Sequence, residues 1–518
     1  MFKMRILPAL LTAAVVIMTA CSVSDEHAFY SNPVIQADMP DPCVIRWNDV
    51  FYAVGTSSEW APFYPVYASD DLVNWEHKSY VFDEKPSWTV SSFWAPEFYC
   101  MNDKVYCYYT ARRASDNVSY IGVAVSDRPD GEYADKGPVI EYGTEAIDAF
   151  VFNDDGTLYV SWKAYGLDPR PIEIVGARLS EDGLSLDGEP FTLLVDDEKI
   201  GIEGQCHVKV GDWYYLIYAG KGCCGPGSDY DVRVARAREF CGPYERCPRN
   251  PILSGGDGDF LSCGHGTLVT LDDDRMYYMC HAYRKGAGFF MGRQPVLHEM
   301  VVSEDGWLEF KCGNTAQSLL PMPFTGAERK PLQPVEDEFD DGEIAVEWTW
   351  NYPYADIHAQ EVGGSLMLAS TSKGSNKYGG AFCLRPRTPY YECLTAMEST
   401  TMNMAGLTFY GDDANLLVWG VRNQRLQLMM VRNGKEDVLY DSEIQASPLW
   451  LKADVEEGCK VSLSWSLDGS AWEKVTSDAL DISSLVRWDR VFRPGMITDS
   501  PQGNPARFEK FILRDKNL

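Results

Sequence analysis

Basic residues are the minority charge in this chain: 46 Lys and Arg against 76 Asp and Glu leave a formal net charge of −30. No basic stripe stands out against that balance, which argues against a nucleic-acid partner gripped through its phosphates. Paired C-x-x-C segments of the zinc-binding kind are also missing, although the chain has 15 cysteines. Apolar runs long enough to cross a membrane are absent after the N-terminal segment, which excludes a chain that spans repeatedly. The second half lacks a helical hydrophobic period. What remains is an acidic chain rich in aromatics, at 13%, built from short strands and turns.

The first segment has a separate purpose. Met1 to Ala20 carries Lys3 and Arg5 and then an apolar stretch from Ile6. It is too short and too close to the start for a spanning helix and reads as a signal peptide. It ends in Met18-Thr19-Ala20-Cys21, which resembles a bacterial lipoprotein cleavage box. The expectation is a signal peptide over 1–20, a lipidated Cys21 and a tether over 21–28, with ordinary secretion as the alternative. The protein is then extracytoplasmic, on a bacterial (outer) membrane, and touches the membrane only through that lipid. Disulfides suit such a compartment. Cys100 and Cys107 flank one turn and are candidates to face each other, and Cys223-Cys224 are adjacent in a Gly-rich loop.

One stretch recurs five times. It first reads Ala37-Asp38-Met39-Pro40-Asp41-Pro42-Cys43, followed by a short strand, the turn Asn48-Asp49 and an aromatic strand. The layout returns at Trp94-Ala95-Pro96-Glu97, Ile147-Asp148-Ala149, Glu203-Gly204-Gln205 and Gly264-His265-Gly266, each before its own turn. The period is roughly 50 to 60 residues, the range of propeller blades. Each unit also holds a later strand, such as Val66–Asp70 or Gly122–Asp127. Sheets that bury both faces against neighbours must close in a ring. The fold expected over 29–322 is therefore a five-bladed β-propeller, and the whole chain is all-β.

Equivalent positions on five innermost strands face the same channel. Asp41, Glu97, Asp148, Glu203 and His265 are thus expected to converge near the axis. Four carboxylates together are costly unless hydrated, paired or used. The plainer alternative is that acidic residues cap strand ends on the surface.

After a Pro-containing linker, 335–518 shows short alternating strands, including Gly406–Tyr410, Asn415–Trp419 and Lys460–Ser466. That pattern with frequent turns predicts a β-sandwich.

The ordered set Pro40-Asp41-Pro42, Trp94-Ala95-Pro96-Glu97, Ile147-Asp148-Ala149, Glu203-Gly204, Gly264-His265-Gly266 and Gly292-Arg293-Gln294 resembles glycoside hydrolase family 43. The second domain resembles the concanavalin-like C-terminal domain of that family's β-xylosidases, notably at Phe339-Asp340-Asp341 and Glu347–Asn351. The resemblance implies an inverting exo-hydrolase that releases a non-reducing-end pentose, β-D-xylose or α-L-arabinofuranose, from plant cell-wall oligosaccharides or polysaccharides. It implies Asp41 as general base, Glu203 as general acid and Asp148 as the residue that orients Glu203 and tunes its pKa. An inverting site needs two carboxyls held apart with room for water, and one of them kept protonated, for which a neighbouring negative charge is the expected device.

The resemblance makes Arg293 a ligand of sugar hydroxyls, against a structural ion pair, and Trp94 a pocket wall, against a core role. It places His265 at the axis, where some members hold calcium largely through water; a hydrogen-bonded histidine without metal is the alternative. No cofactor is implied for the chemistry itself, and oligomeric state is left open. Glu97 reads as structural or substrate-facing. Cys43 in place of the usual Ser, and Gln205-Cys206 in place of Pro-His, depart from the pattern. Competing readings are an endo-acting or other-glycone member of the family (an arabinanase or galactosidase), a retaining fructan-cleaving relative, whose Asn-Asp-Pro-Asn and Arg-Asp-Pro segments are missing, and a non-catalytic sugar-binding propeller. The last would have lost one of Asp41, Asp148 and Glu203, and all three are present.

Overall fold

A computed structural model of the protein describes residues 28–165, 171–287, 289–398, 403–444, 447–486 and 491–516. The expected signal peptide and Cys21 lie outside the described residues. Among those described, no helix is long and apolar enough to cross a membrane.

Five four-stranded antiparallel sheets follow one another along the first part of the chain. Their innermost strands are Cys43–Trp47, Thr89–Met101, Glu145–Asp154, Ile202–Val210 and Phe260–Thr270, in what we call blades I to V. Each is the first strand of its sheet, so the sequence repeat is the blade repeat. The ring closes between blades V and I, where the Thr267 hydroxyl donates to the Pro42 carbonyl at 2.8 Å and accepts from the Val44 amide at 3.1 Å. Outside the blades, Phe29–Ser31 pairs with Leu319–Pro321, tying the two ends of the propeller together.

The second domain is a sandwich of a nine-stranded and a seven-stranded antiparallel sheet. Val335–Asp337 enters it by pairing with Ala506–Asp515, near the chain end. Its core is apolar and aromatic, with Trp348, Trp419, Phe409 and Phe508 all buried. It docks on blade I through backbone: the Ala61 and Trp350 amides donate to each other's carbonyls at 3.0 and 2.8 Å.

The cysteine expectation is corrected in part. Cys100 lies opposite Val105, and Cys107 opposite Phe98, and both are free. They are diagonal neighbours two residues out of register, beyond the reach of a disulfide. Among the described residues the disulfide is Cys223–Cys224.

Candidate active site

The innermost strands are interrupted where the repeat placed its polar residue. Pairing shifts register between Trp94 and Glu97, Ile147 and Phe150, Glu203 and Cys206, and Leu261 and Gly264. Backbone φ turns positive at Asp41 (56°), Ala95 (41°), Asp148 (60°), Gly204 (59°) and His265 (44°). Bulges of this kind re-aim side chains and recur beside active sites. Here they lie at Asp148, Glu203 and His265, and Asp41, left-handed just ahead of its strand, meets His265 at the axis.

Asp41 is pinned from three sides. Its amide donates to His281 Nδ1 at 3.1 Å, and Oδ2 accepts from the Thr56 hydroxyl at 2.7 Å. Oδ1 lies 3.4 Å from Arg293 Nη1 and 3.3 Å from His265 Nδ1. Burial alone would raise this carboxyl's pKa, but the Arg293 and His265 charges outweigh it and hold Asp41 well below the usual range. Asp41 is ionised, as a base must be.

Asp148 accepts from the Gly204 amide at 3.1 Å and lies 3.8 Å from His265 Nδ1. Burial pushes its pKa up to about 6; His265 opposes that and Glu203 adds to it. His265 sits between the two aspartates. Burial would lower its pKa, but Asp148 and Asp41 push it up to about 9, so it is a cation at neutral pH.

Glu203 accepts from the Tyr230 hydroxyl at 2.9 Å and forms an ion pair with Lys163. Burial favours its neutral form, yet Lys163 outweighs burial and lowers the pKa. The expectation that neighbouring carboxylates keep Glu203 protonated is therefore reversed in the free site, because the charge and hydrogen bond of the Lys163 ammonium outweigh burial. The axis holds three carboxylates, Asp41, Asp148 and Glu203, against three cations, Arg293, His265 and Lys163. That balance makes the buried cluster tolerable.

Arg293 is buried, bonded to Asp41, and its amide donates to Asp38 Oδ1 at 3.0 Å. Trp94 is half-buried, with the Arg112 guanidinium 5.7 Å from its ring centroid. Glu97 stands apart from the ion-paired group. It is buried beside the Cys43 thiol, and burial pushes its pKa up to about 8. Cys43 itself bonds blade II, accepting from the Phe98 amide at 3.2 Å, and Cys206 lies in the core between blades IV and V. These two departures from the family pattern fall in packing. Gln205 donates to the Asp148 carbonyl and so supports the site from beneath.

A calcium ion asks for open oxygen donors. His265 instead presents an imidazolium whose Nδ1 faces two carboxylates, and among the described residues no group of three or more His, Cys, Asp or Glu is arranged to hold a metal.

Sequence reasoning missed Lys163, Tyr230, His281 and Thr56. Lys163 lies in the otherwise buried run Val160–Ala164, and His281 in the buried run Met276–Ala282. A lone charged or imidazole side chain inside an apolar strand was the available signal for these two. Tyr230 and Thr56 carry none.

Two family models match the chain. Residues 30–308 match the model for glycosyl hydrolases family 43, and 336–511 match that for the β-xylosidase C-terminal concanavalin A-like domain. A non-reducing end α-L-arabinofuranosidase from Bacteroides ovatus is 26% identical over 459 residues, covering 82% of each chain. A β-xylosidase from Bacillus subtilis is 23% identical over 549 residues, covering 94% of this chain and 99% of its own. A crystal structure of a family 43 protein from Bacillus licheniformis superposes with a TM-score of 0.82 at 22% identity, covering 94% of this chain and all of that one.

Proposed function

This chain belongs to glycosyl hydrolases family 43, and from that premise we propose that it is an inverting exo-hydrolase releasing a non-reducing-end pentose. The observation that carries the reading is the set of three carboxylates from blades I, III and IV gathered at the axis with different proton affinities. Asp41, ionised and fixed by Thr56 and Arg293, takes the proton from the attacking water. Glu203 delivers a proton to the leaving oxygen. Asp148, hydrogen-bonded to the amide that follows Glu203, holds the acid in place.

The free site has Glu203 paired with Lys163, so the acid must be charged with a proton as substrate arrives. A sugar that excludes water around Glu203 raises its pKa by desolvation, and parting it from Lys163 raises it further. Arg293 and Trp94 line the sugar pocket in this reading. Between the two pentoses, the match of the second domain to the β-xylosidase type favours β-D-xylose. The relatives named for both sugars keep α-L-arabinofuranose as the second choice.

The test is hydrolysis of nitrophenyl β-D-xyloside and nitrophenyl α-L-arabinofuranoside by wild type and Glu203→Gln, with the product anomer followed by NMR. Release of the inverted sugar, lost in the variant, is expected. A retained product, or an active variant, sinks the assignment. We also propose that Cys21 carries the lipid anchor; metabolic labelling with palmitate, lost in Cys21→Ala, checks it.

A further inference from the structure

In blade V the strand Met276–Arg284 returns as Gln294–Val302, and the connection between them leaves the propeller. Ala287 and Met291, each 1% exposed, belong to the core of the sandwich. Phe290 packs against the same core, its ring stacked on Phe492 with centroids 6.0 Å apart. Gly458, at a hairpin turn of the sandwich, closes over it: a Cβ there would stand 3.0 Å from Phe290 Cβ. Connections ordinarily run over the surface of their own domain. A connection that puts apolar side chains into the core of another domain is an anchor.

The anchor leads directly to the axial site. Arg293 follows Met291 by two residues, and two residues of chain span at most about 7 Å. Between them Gly292 is left-handed (φ 73°), and a Cβ on it would run into the Asp38 carboxylate. The Arg293 amide donates to Asp38 Oδ1 at 3.0 Å, and its carbonyl accepts from the Met39 amide at 3.0 Å. The segment that carries Arg293 therefore lies on the segment that leads into Asp41. Two more contacts reach these segments from the sandwich. Gln294 Nε2 donates to the Arg387 carbonyl at 3.3 Å, and Arg493 Nη2 lies 3.9 Å from Asp38 Oδ2.

We propose that the sandwich is a positioning element of the axial site: by seating Ala287, Phe290 and Met291 it sets the Arg293 guanidinium against Asp41. Phe290 is the positioning residue on the propeller side, and it acts through Arg293 without touching the reacting atoms. The consequence for catalysis rests on the reading of Asp41 as general base. After burial, which opposes ionisation, the Arg293 charge is the largest influence on Asp41, and it favours the carboxylate. With Arg293 drawn away, Asp41 would ionise at higher pH. The ascending limb of kcat/KM, which reports the base of the free enzyme, should then move to higher pH.

The experiment compares the full chain with Phe290→Ala, Phe290→Leu, Gly458→Ala and Gly434→Ala. Gly434 (φ 75°) is a left-handed turn glycine like Gly458 (φ 74°), but a Cβ on it meets nothing within 4 Å, so it controls for backbone strain. Hydrogen exchange of the peptide holding the Arg293 amide is followed by mass spectrometry, and kcat/KM on a nitrophenyl pentoside is followed against pH. Phe290→Ala should exchange that amide at least ~10-fold faster and move the ascending limb up. Gly458→Ala should do both to a smaller extent, and it serves if Phe290→Ala does not fold. Phe290→Leu keeps an apolar anchor and should hold the wild-type limb, as should Gly434→Ala. The proposal is overturned if exchange at Arg293 stays at the wild-type rate in both Phe290→Ala and Gly458→Ala. It is also overturned if exchange quickens with the limb unmoved, or if Gly434→Ala moves the limb as far. Wild type that cleaves no pentoside would sink the function proposed above, and the exchange comparison would then decide the anchor by itself.

Discussion

In the sandwich, Asn423, Gln424, Asn433 and Glu457 take left-handed backbone at hairpin turns, where the chain must reverse. In the propeller, Ala95, Asp148 and His265 take it inside strands. Such a conformation costs about 1–2 kcal/mol per residue away from glycine. The charges divide the same way. The sandwich core is apolar, and ion pairs such as Arg425–Asp441 sit on its surface, with side chains 38% and 41% exposed. The propeller takes three carboxylates and three cations into its axis, with Asp41 and Arg293 side chains 10% and 5% exposed. One domain keeps these left-handed residues in its turns and fills its core with apolar side chains. The other gives up regularity at equivalent points of its blades and gains a polar site there.

That contrast predicts where substitutions cost activity. The largest effect is expected for Asp41→Ala and Glu203→Gln. Loss of a general base or acid removes about 10²–10⁴-fold of rate, so kcat on a nitrophenyl pentoside should fall by at least ~100-fold, with the fold intact by circular dichroism. Asp441→Ala on the sandwich surface should leave kcat unchanged and cost no more than about 1 kcal/mol of stability. A sandwich surface variant that matched the axial ones in lost activity would break the division.

Two glycines sharpen it. Gly204 (φ 59°) and Gly434 (φ 75°) are both left-handed. A Cβ on Gly204 would lie 2.5 Å from His265 Cγ, whereas one on Gly434 meets nothing within 4 Å. Both alanine variants should lose about 1–2 kcal/mol to backbone strain. Gly204→Ala alone should also lose activity, by roughly 10- to 100-fold, because the imidazolium between Asp41 and Asp148 must move. Urea unfolding and kcat/KM of the two variants separate the effects.

How much of this was legible in the sequence follows the same line. Asp41, Asp148, Glu203 and His265 could be found because each occupies the same point of a repeat, and a repeat shows position without coordinates. Glu97 occupies that point too, yet it ends beside Cys43, because the blade II bulge places the left-handed residue at Ala95, two positions earlier. Lys163 and His281 lie on second strands, where nothing repeats, and what they touch depends on how neighbouring blades pack. The sandwich was legible from alternation alone. The Cys100–Cys107 pairing failed on register, a property of the hairpin turn that cysteine spacing does not carry.

Lys163 gives the next prediction, and its sign runs through Glu203. Lys163 holds the acid's pKa below the usual carboxyl range, so the protonated acid of the free enzyme is lost early as pH rises. The value of kcat/KM reports free-enzyme groups, so it should be highest at acidic pH and decline towards neutrality. Lys163→Met removes the largest opposing charge, and the descending limb should move to higher pH. An unmoved limb would mean that the charge balance at the axis does not control the acid.

Among the four repeat acids the smallest effect on turnover is expected at Glu97, the one without an ion pair at the axis. Burial pushes its carboxyl up to about 8, so it is neutral at pH 6, and Gln has nearly the same shape. Glu97→Gln should therefore change kcat by no more than about twofold there. Its signature lies in stability. A buried carboxyl whose folded pKa lies above its unfolded value, near 4.5, makes the native state bind more protons than the unfolded state. Wild type should then lose stability from this group as pH rises from about 4.5 to about 8, on the order of a few kcal/mol over that window. The Gln variant has no proton to lose and should show a flatter curve. Urea unfolding of both proteins at pH 5 and pH 8 measures the difference; parallel curves would place Glu97 in contact with water or with a cation, and a large loss of turnover would return it to the catalytic group.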